Sequence, residues 1–184
     1  MAETPPARNA SQEEPVEVVP YDPRWPERFE AERALLQEAI GAWIGGGIHH
    51  VGSTAVPGLL AKPVVDVMVG VRDLEEARDS FEILAALDYC YFPYRTWMHW
   101  FCKPSPSRRT HHLHLMEPTH PEFSARLDFR DVLRADPQVA AEYASLKQRL
   151  AVQHRHDREA YTDAKTVFVR GVLERPAAGK APPA

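Results

Sequence analysis

The chain has 184 residues, the length of one domain, and 44% hydrophobic with 26% charged residues supplies a core without the composition of a disordered chain. Its 22 basic and 26 acidic residues leave a formal charge of -4, which excludes a general nucleic-acid coat that works by neutralising phosphates but leaves room for a local basic pocket. The opening residues carry no charged start followed by an apolar run, and no apolar stretch approaches the ~20 residues needed to cross a bilayer, so a cytoplasmic protein with no membrane contact is expected.

Six of the 17 prolines fall in residues 1–26 and three in 176–184, so residues 1–15 and 176–184 read as disordered tails around a domain at 16–175. VEVVPYDPRWP is an extended arm ending at Pro26, a residue suited to a first helical turn. Phe29, Leu36, Ile40 and Trp43 then form one apolar helical stripe, which Gly45-Gly46-Gly47 is expected to stop. IHHVGSTAVPGLLAKP supplies turn chemistry, and VVDVMVGV is a branched run typical of a central strand buried on both faces. Leu74, Ala77, Phe81 and Leu84 predict a second helix, while YCYFPY, TWMHWFCK and THHLHLM predict three strands, with SPSRR as a hairpin loop. Beyond Pro121 the pattern is helical, with Val139, Tyr143, Leu146 and Leu150 on one face and Tyr161, Ala164, Phe168 and Val172 on another. Cys90 and Cys102 are expected to be reduced core residues.

The chemistry concentrates at Gly52-Ser53-Thr54, followed after twelve intervening residues by Asp66 inside the valine-rich strand. A glycine lets backbone approach a phosphate, free N–H groups and the hydroxyls of Ser53 and Thr54 donate to it, and Asp66 would hold a divalent cation. A phosphate cradle facing a metal is the minimum equipment for phosphoryl or nucleotidyl transfer. A P-loop does not fit: five residues rather than four separate Gly52 from Gly58, and Leu59 follows. The plainer alternative is a loop that only caps a helix, with Asp66 in a structural hydrogen bond. Against it stands the cost of a carboxylate in an apolar strand unless it is paired, bonded or metal-bound.

HHVGSTAVPGLLAKPVVDVMVGV, together with HHLHLM, FRDVLR and the two later tyrosine-lysine segments, resembles the GrpB-like family over roughly residues 16–175. The resemblance implies an α+β, nucleotidyltransferase-like fold: a mixed β-sheet with flanking helices and a C-terminal helical segment. It places the Gly-Ser loop and the aspartate strand where that superfamily carries its nucleotide-transfer motif, and implies a domain found alone or fused to dephospho-coenzyme A kinase. The sequence departs from the superfamily pattern at Met68, which stands where a second carboxylate is usual. Residues two apart on a strand share a face, so a ligand is missing from the side of Asp66.

His112 and His114 are likewise two apart and share a face, making Asp66, His112 and His114 a candidate metal set with Asp66 and His114 as catalytic candidates. The cation would be Mg2+ or a transition metal such as Zn2+ or Mn2+, imidazole favouring the latter group; the alternative is histidines in neutral hydrogen bonds. His50, His99, His111, His120, His154 and His156 make weaker cases. Tyr143 with Lys147 and Tyr161 with Lys165 are each four apart, so two ammonium groups can face one anion, with Arg130 and Lys62 as further phosphate contacts. Core packing of the tyrosines and surface pairing of the lysines is the competing use. The expected function is a nucleotidyltransferase-like protein that binds a nucleoside triphosphate or other phosphorylated small molecule and transfers its nucleotidyl group to an unidentified acceptor. Two alternatives stand beside it: a non-catalytic nucleotide or metabolite-binding module, and a histidine-metal hydrolase.

Overall fold

The computed structural model describes residues 15–175, so the predicted tails, Pro15 apart, lie outside the described residues. The arm is extended, and Val19 exchanges two backbone hydrogen bonds with Ala61, strapping it across the loop that leads into the aspartate strand. Helix α1, Trp25–Ile40, has proline in its first turn and buries Trp25, Phe29, Leu36 and Ile40. It ends before the glycine triplet. A short 3-10 turn, Gly41–Trp43, takes up Trp43, and the three glycines lie inside strand β1, Ile44–Val51. This corrects their expected role as a helix stop. A Cβ on Gly46 would sit 3.1 Å from the Gly70 Cα and collide with the Pro118 ring, so missing side chains let two strands approach.

The other strands are β2 (Val65–Val71), β3 (Cys90–Arg95), β4 (Met98–Ser105) and β5 (Arg108–Met116). They form one open mixed sheet in the order β1-β2-β5-β4-β3, with β2 and β5 parallel and the other neighbours antiparallel. The valine run is thus an interior strand, but β5 occupies the middle. Between β2 and β3 the expected single helix is a 3-10 turn, Glu76–Ser80, running into the short helix α2, Phe81–Ala86. The helical C-terminal part is four helices: α3 (Pro121–Ala135), α4 (Pro137–Gln153), α5 (Arg158–Asp163) and α6 (Thr166–Leu173). Asp136 and Asp157 begin α4 and α5, Asp136 accepting from the N–H groups of Gln138 and Val139 and Asp157 from that of Ala160.

Strand parity divides the sheet between two cores. Val65, Val67, Val69 and Val71 join Phe101, Leu113 and Leu115 under α1 and α2. Met68, Trp100, Cys102 and Met116 pack on the opposite face against Phe123 of α3. Asp66, His112 and His114 share that second face, which opens here into a cavity walled by α3, α4, α5 and α6. No helix among the described residues is long and apolar enough to cross a membrane.

Candidate functional site

The parallel pairing of β2 with β5 sets Asp66 directly beside His112 and Met68 directly beside His114. His112 Nδ1 donates to Asp66 Oδ1 at 2.9 Å, and His114 Nε2 stands 3.6 Å from the same oxygen. One donor atom from each residue lies within 4.8 Å of the others. Two imidazoles and a carboxylate at this spacing form a donor set of the kind transition metals take, with the cavity side left for other ligands. Met68 is fully buried in the core, so the usual place of a second carboxylate is filled by a thioether and the next polar group is His114 on the neighbouring strand.

The carboxylate is charged. Burial would raise the Asp66 pKa, but hydrogen bonding from His112 and His114 holds it well below the usual carboxylate range. Its side chain keeps 28% exposure into the cavity, against 11% for His112 and 9% for His114. Both rings are held neutral: burial lowers the pKa of His112, and burial followed by repulsion from Arg126 pushes His114 down to about 4.

Gly52 has φ +71°, and a Cβ there would stand 3.1 Å from the Asp66 Cγ and overlap its Oδ2, so the loop can lie against the carboxylate only as glycine. Ser53–Ala55 is one 3-10 turn. Thr54 is buried and its hydroxyl pairs with His50 Nε2 at 2.9 Å. His50 in turn stacks on Phe29, burial pushing its pKa down to about 4. His50 therefore braces the loop from behind.

The cavity measures about 610 Å³ and is lined by Gly52, Ser53, Thr54, Lys62, Lys147 and Lys165 as well as by the Asp66 cluster. Six of the seven predicted phosphate contacts thus face one space. Lys147 Nζ lies over the Tyr143 ring and donates to the Leu60 carbonyl, while Lys62 and Lys165 both approach the Tyr161 ring, at 5.1 and 4.2 Å. Burial pushes the pKa of Lys147 and of Lys165 down to about 7, each helped by a neighbouring lysine. The seventh, Arg130, is not in the lining: its guanidinium donates to the His50 carbonyl and pairs with Asp131.

Several lining residues escaped the sequence reading. Arg126, Arg109, Arg158 and Arg170 add positive charge, Trp100 and Tyr94 add aromatic surface, and His156, placed among the weaker histidines, also lines the cavity. One signal was available. Arg126, Arg130 and Arg134 recur every fourth residue on α3, one helix face. Arg130 and Arg134 tie the carbonyls of His50 and Ala55 on either side of the Gly-Ser loop, and Arg126 reaches His114.

The model of a family described as GrpB protein matches residues 15–175. The UPF0157 protein YqkA of Bacillus subtilis is 36% identical over 170 residues, covering 86% of this chain but 46% of its own length. The chain therefore spans less than half of that relative. The UPF0157 protein PA4798 of Pseudomonas aeruginosa is 39% identical over 165 residues, covering 87% of this chain and 67% of that one. The crystal structure of the conserved protein GrpB from Enterococcus faecalis superposes with a TM-score of 0.77 at 31% identity, covering 85% of this chain and 94% of that one.

Proposed function

The chain belongs to the GrpB family, and from that premise we propose that its cavity binds a phosphorylated small molecule, a nucleoside triphosphate first, with a divalent cation held by Asp66, His112 and His114. The observation that carries the reading is the convergence of a carboxylate and two neutral imidazoles with lysines 62, 147 and 165 in a cavity of about 610 Å³. An isolated cluster of either kind would be ordinary; together they match the two charges of a metal-polyphosphate complex.

The donor set fits Mn2+ or Zn2+ better than Mg2+, which prefers oxygen ligands. A bound cation there supplies charge neutralisation at a phosphoryl oxygen. The chain's own residues do the rest. Gly52 and Ser53 present backbone and hydroxyl donors beside Asp66, the lysines receive phosphate charge, and Trp100 offers an aromatic wall to a base. Transfer of a nucleotidyl group to an acceptor is the corresponding reaction.

Met68 favours a second reading, a module that binds nucleotide without transferring it, because the cluster has one carboxylate where two-metal chemistry uses more. Calorimetry of nucleoside triphosphates with and without Mn2+, on the parent and on Asp66→Asn, tests both. Metal-dependent binding of triphosphate, lost in Asp66→Asn while the bare nucleoside is unaffected, supports the common reading. Pyrophosphate released with the nucleotidyl group recovered on an acceptor selects transfer, release of free nucleoside mono- or diphosphate selects a histidine-metal hydrolase, and equal affinity of parent and variant in Mn2+ refutes the assignment of Asp66.

A further inference from the structure

We infer that Arg126 makes the two halves of the site interdependent: the Asp66, His112 and His114 cluster takes up a divalent cation effectively only together with a phosphate-class anion that draws the Arg126 guanidinium off His114. This rests on the metal-and-phosphate reading above and adds a coupling between the two ligands.

The proton on His114 opposes metal binding while Arg126 stays in place. Arg126 Nη1 lies 3.5 Å from His114 Nδ1, and a guanidinium can only donate, so Nδ1 presents its lone pair and the neutral ring carries its hydrogen on Nε2. Nε2 is the nitrogen that faces Asp66 Oδ1, the one a cation bound between them would need bare. Baring it moves the hydrogen to Nδ1, where it would point at an Arg126 N–H. Ligation and the Arg126 contact are therefore mutually exclusive.

Charge acts in the same direction. Asp66 is the single carboxylate of the cluster, with Glu122 the other carboxylate acting on Arg126, and Met68 contributes none. A divalent ion beside Arg126 leaves this corner net positive until an anion enters. Arg126 can receive one: its Nε is buried without a hydrogen-bond partner among the described residues, and unlike Arg130 and Arg134 it is not tied to a backbone carbonyl. A phosphate oxygen between Arg126 and the cation would take that donor and free Nδ1 of His114.

The test is titration of Mn2+ followed by the electron-spin signal of the free ion, without and with inorganic phosphate, on the parent, Arg126→Met and Arg126→Lys, with thermal unfolding as the check on folding. Phosphate should tighten Mn2+ on the parent by about tenfold or more, a usual size for coupling between sites. Arg126→Met should bind Mn2+ alone more tightly than the parent does and lose most of the phosphate effect. Arg126→Lys, which keeps a charge on a shorter, rotatable head, should retain part of it. A phosphate effect on the parent below about twofold, or the full effect retained in Arg126→Met, overturns the coupling while leaving the metal site standing. No Mn2+ bound by the parent in either condition overturns the metal reading itself, and the coupling with it.

Discussion

Replacing Gly52 with alanine isolates what the loop does for Asp66, because a second glycine supplies the control. Gly52 and Gly58 both have positive φ, +71° and +77°, but a Cβ at Gly58 meets nothing within 4 Å whereas one at Gly52 runs into the Asp66 carboxylate. Gly58→Ala therefore pays only backbone strain, about 1–3 kcal/mol. Gly52→Ala carries strain of at least that order, its φ of 71° being joined to a ψ of -171° that is nearly confined to glycine, and must also turn Asp66 away from His112, losing a hydrogen bond to a charged group, so the total comes to about 2.5–6 kcal/mol. For a chain of this size each kcal/mol moves the melting temperature by roughly 2–4 °C, so the two variants separate in a thermal scan. Binding separates them further: Gly58→Ala should keep parental affinity for Mn2+ with triphosphate, and Gly52→Ala should lose it even at temperatures where it is folded. A folded Gly52→Ala that binds like the parent would refute the claim that the loop and the carboxylate are one site.

Ser53→Ala should weaken triphosphate binding by about 1.5–3 kcal/mol, the worth of one hydrogen bond to a charged group, and leave the bare nucleoside unchanged; equal losses for both ligands in calorimetry would mean the loop does not contact phosphate. Burial pushes Lys147 and Lys165 down to about 7 from the 10.5 of an exposed lysine, so between those limits the unfolded chain binds more protons and their contribution to stability rises with pH. Lys165→Met should accordingly stabilise the protein most at pH 7 and less as pH approaches 10.5, as followed by denaturant titration. A bound phosphate restores the ammonium charge, so at pH 8 its binding should take up protons, measurable as different heats in two buffers of unlike ionisation enthalpy; no uptake would place the anion away from these lysines. His50→Ala should lower the melting temperature through loss of the Phe29 stack and the Thr54 bond, yet leave Mn2+ titrations unchanged, since His50 braces the loop and does not belong to the metal cluster.

The sequence by itself determined which residues could act together within one element. The twofold period of a strand puts His112 with His114, and Asp66 with Met68, on common faces, and the fourfold spacing of a helix puts Tyr143 by Lys147. It also announced the valine strand, a hairpin loop at SPSRR that the structure narrows to Pro106 and Ser107 between β4 and β5, and the resemblance to the GrpB family. β1 was not legible, because three consecutive glycines carry no side-chain period; that strand exists through its ladder to β2 and the close approach at Gly46 and Gly70. Whether the aspartate and the histidines share a site was likewise decided in three dimensions. Parity says which face of its own strand a residue takes, but the parallel register that sets Asp66 beside His112 depends on how two strands separated by β3 and β4 in the chain pair in the sheet. The same holds for α3. Its three arginines were visible as a spacing, yet only packing against the sheet gave Arg130 and Arg134 carbonyls to hold and left Arg126 at a histidine, because a helix face has no function until another surface meets it.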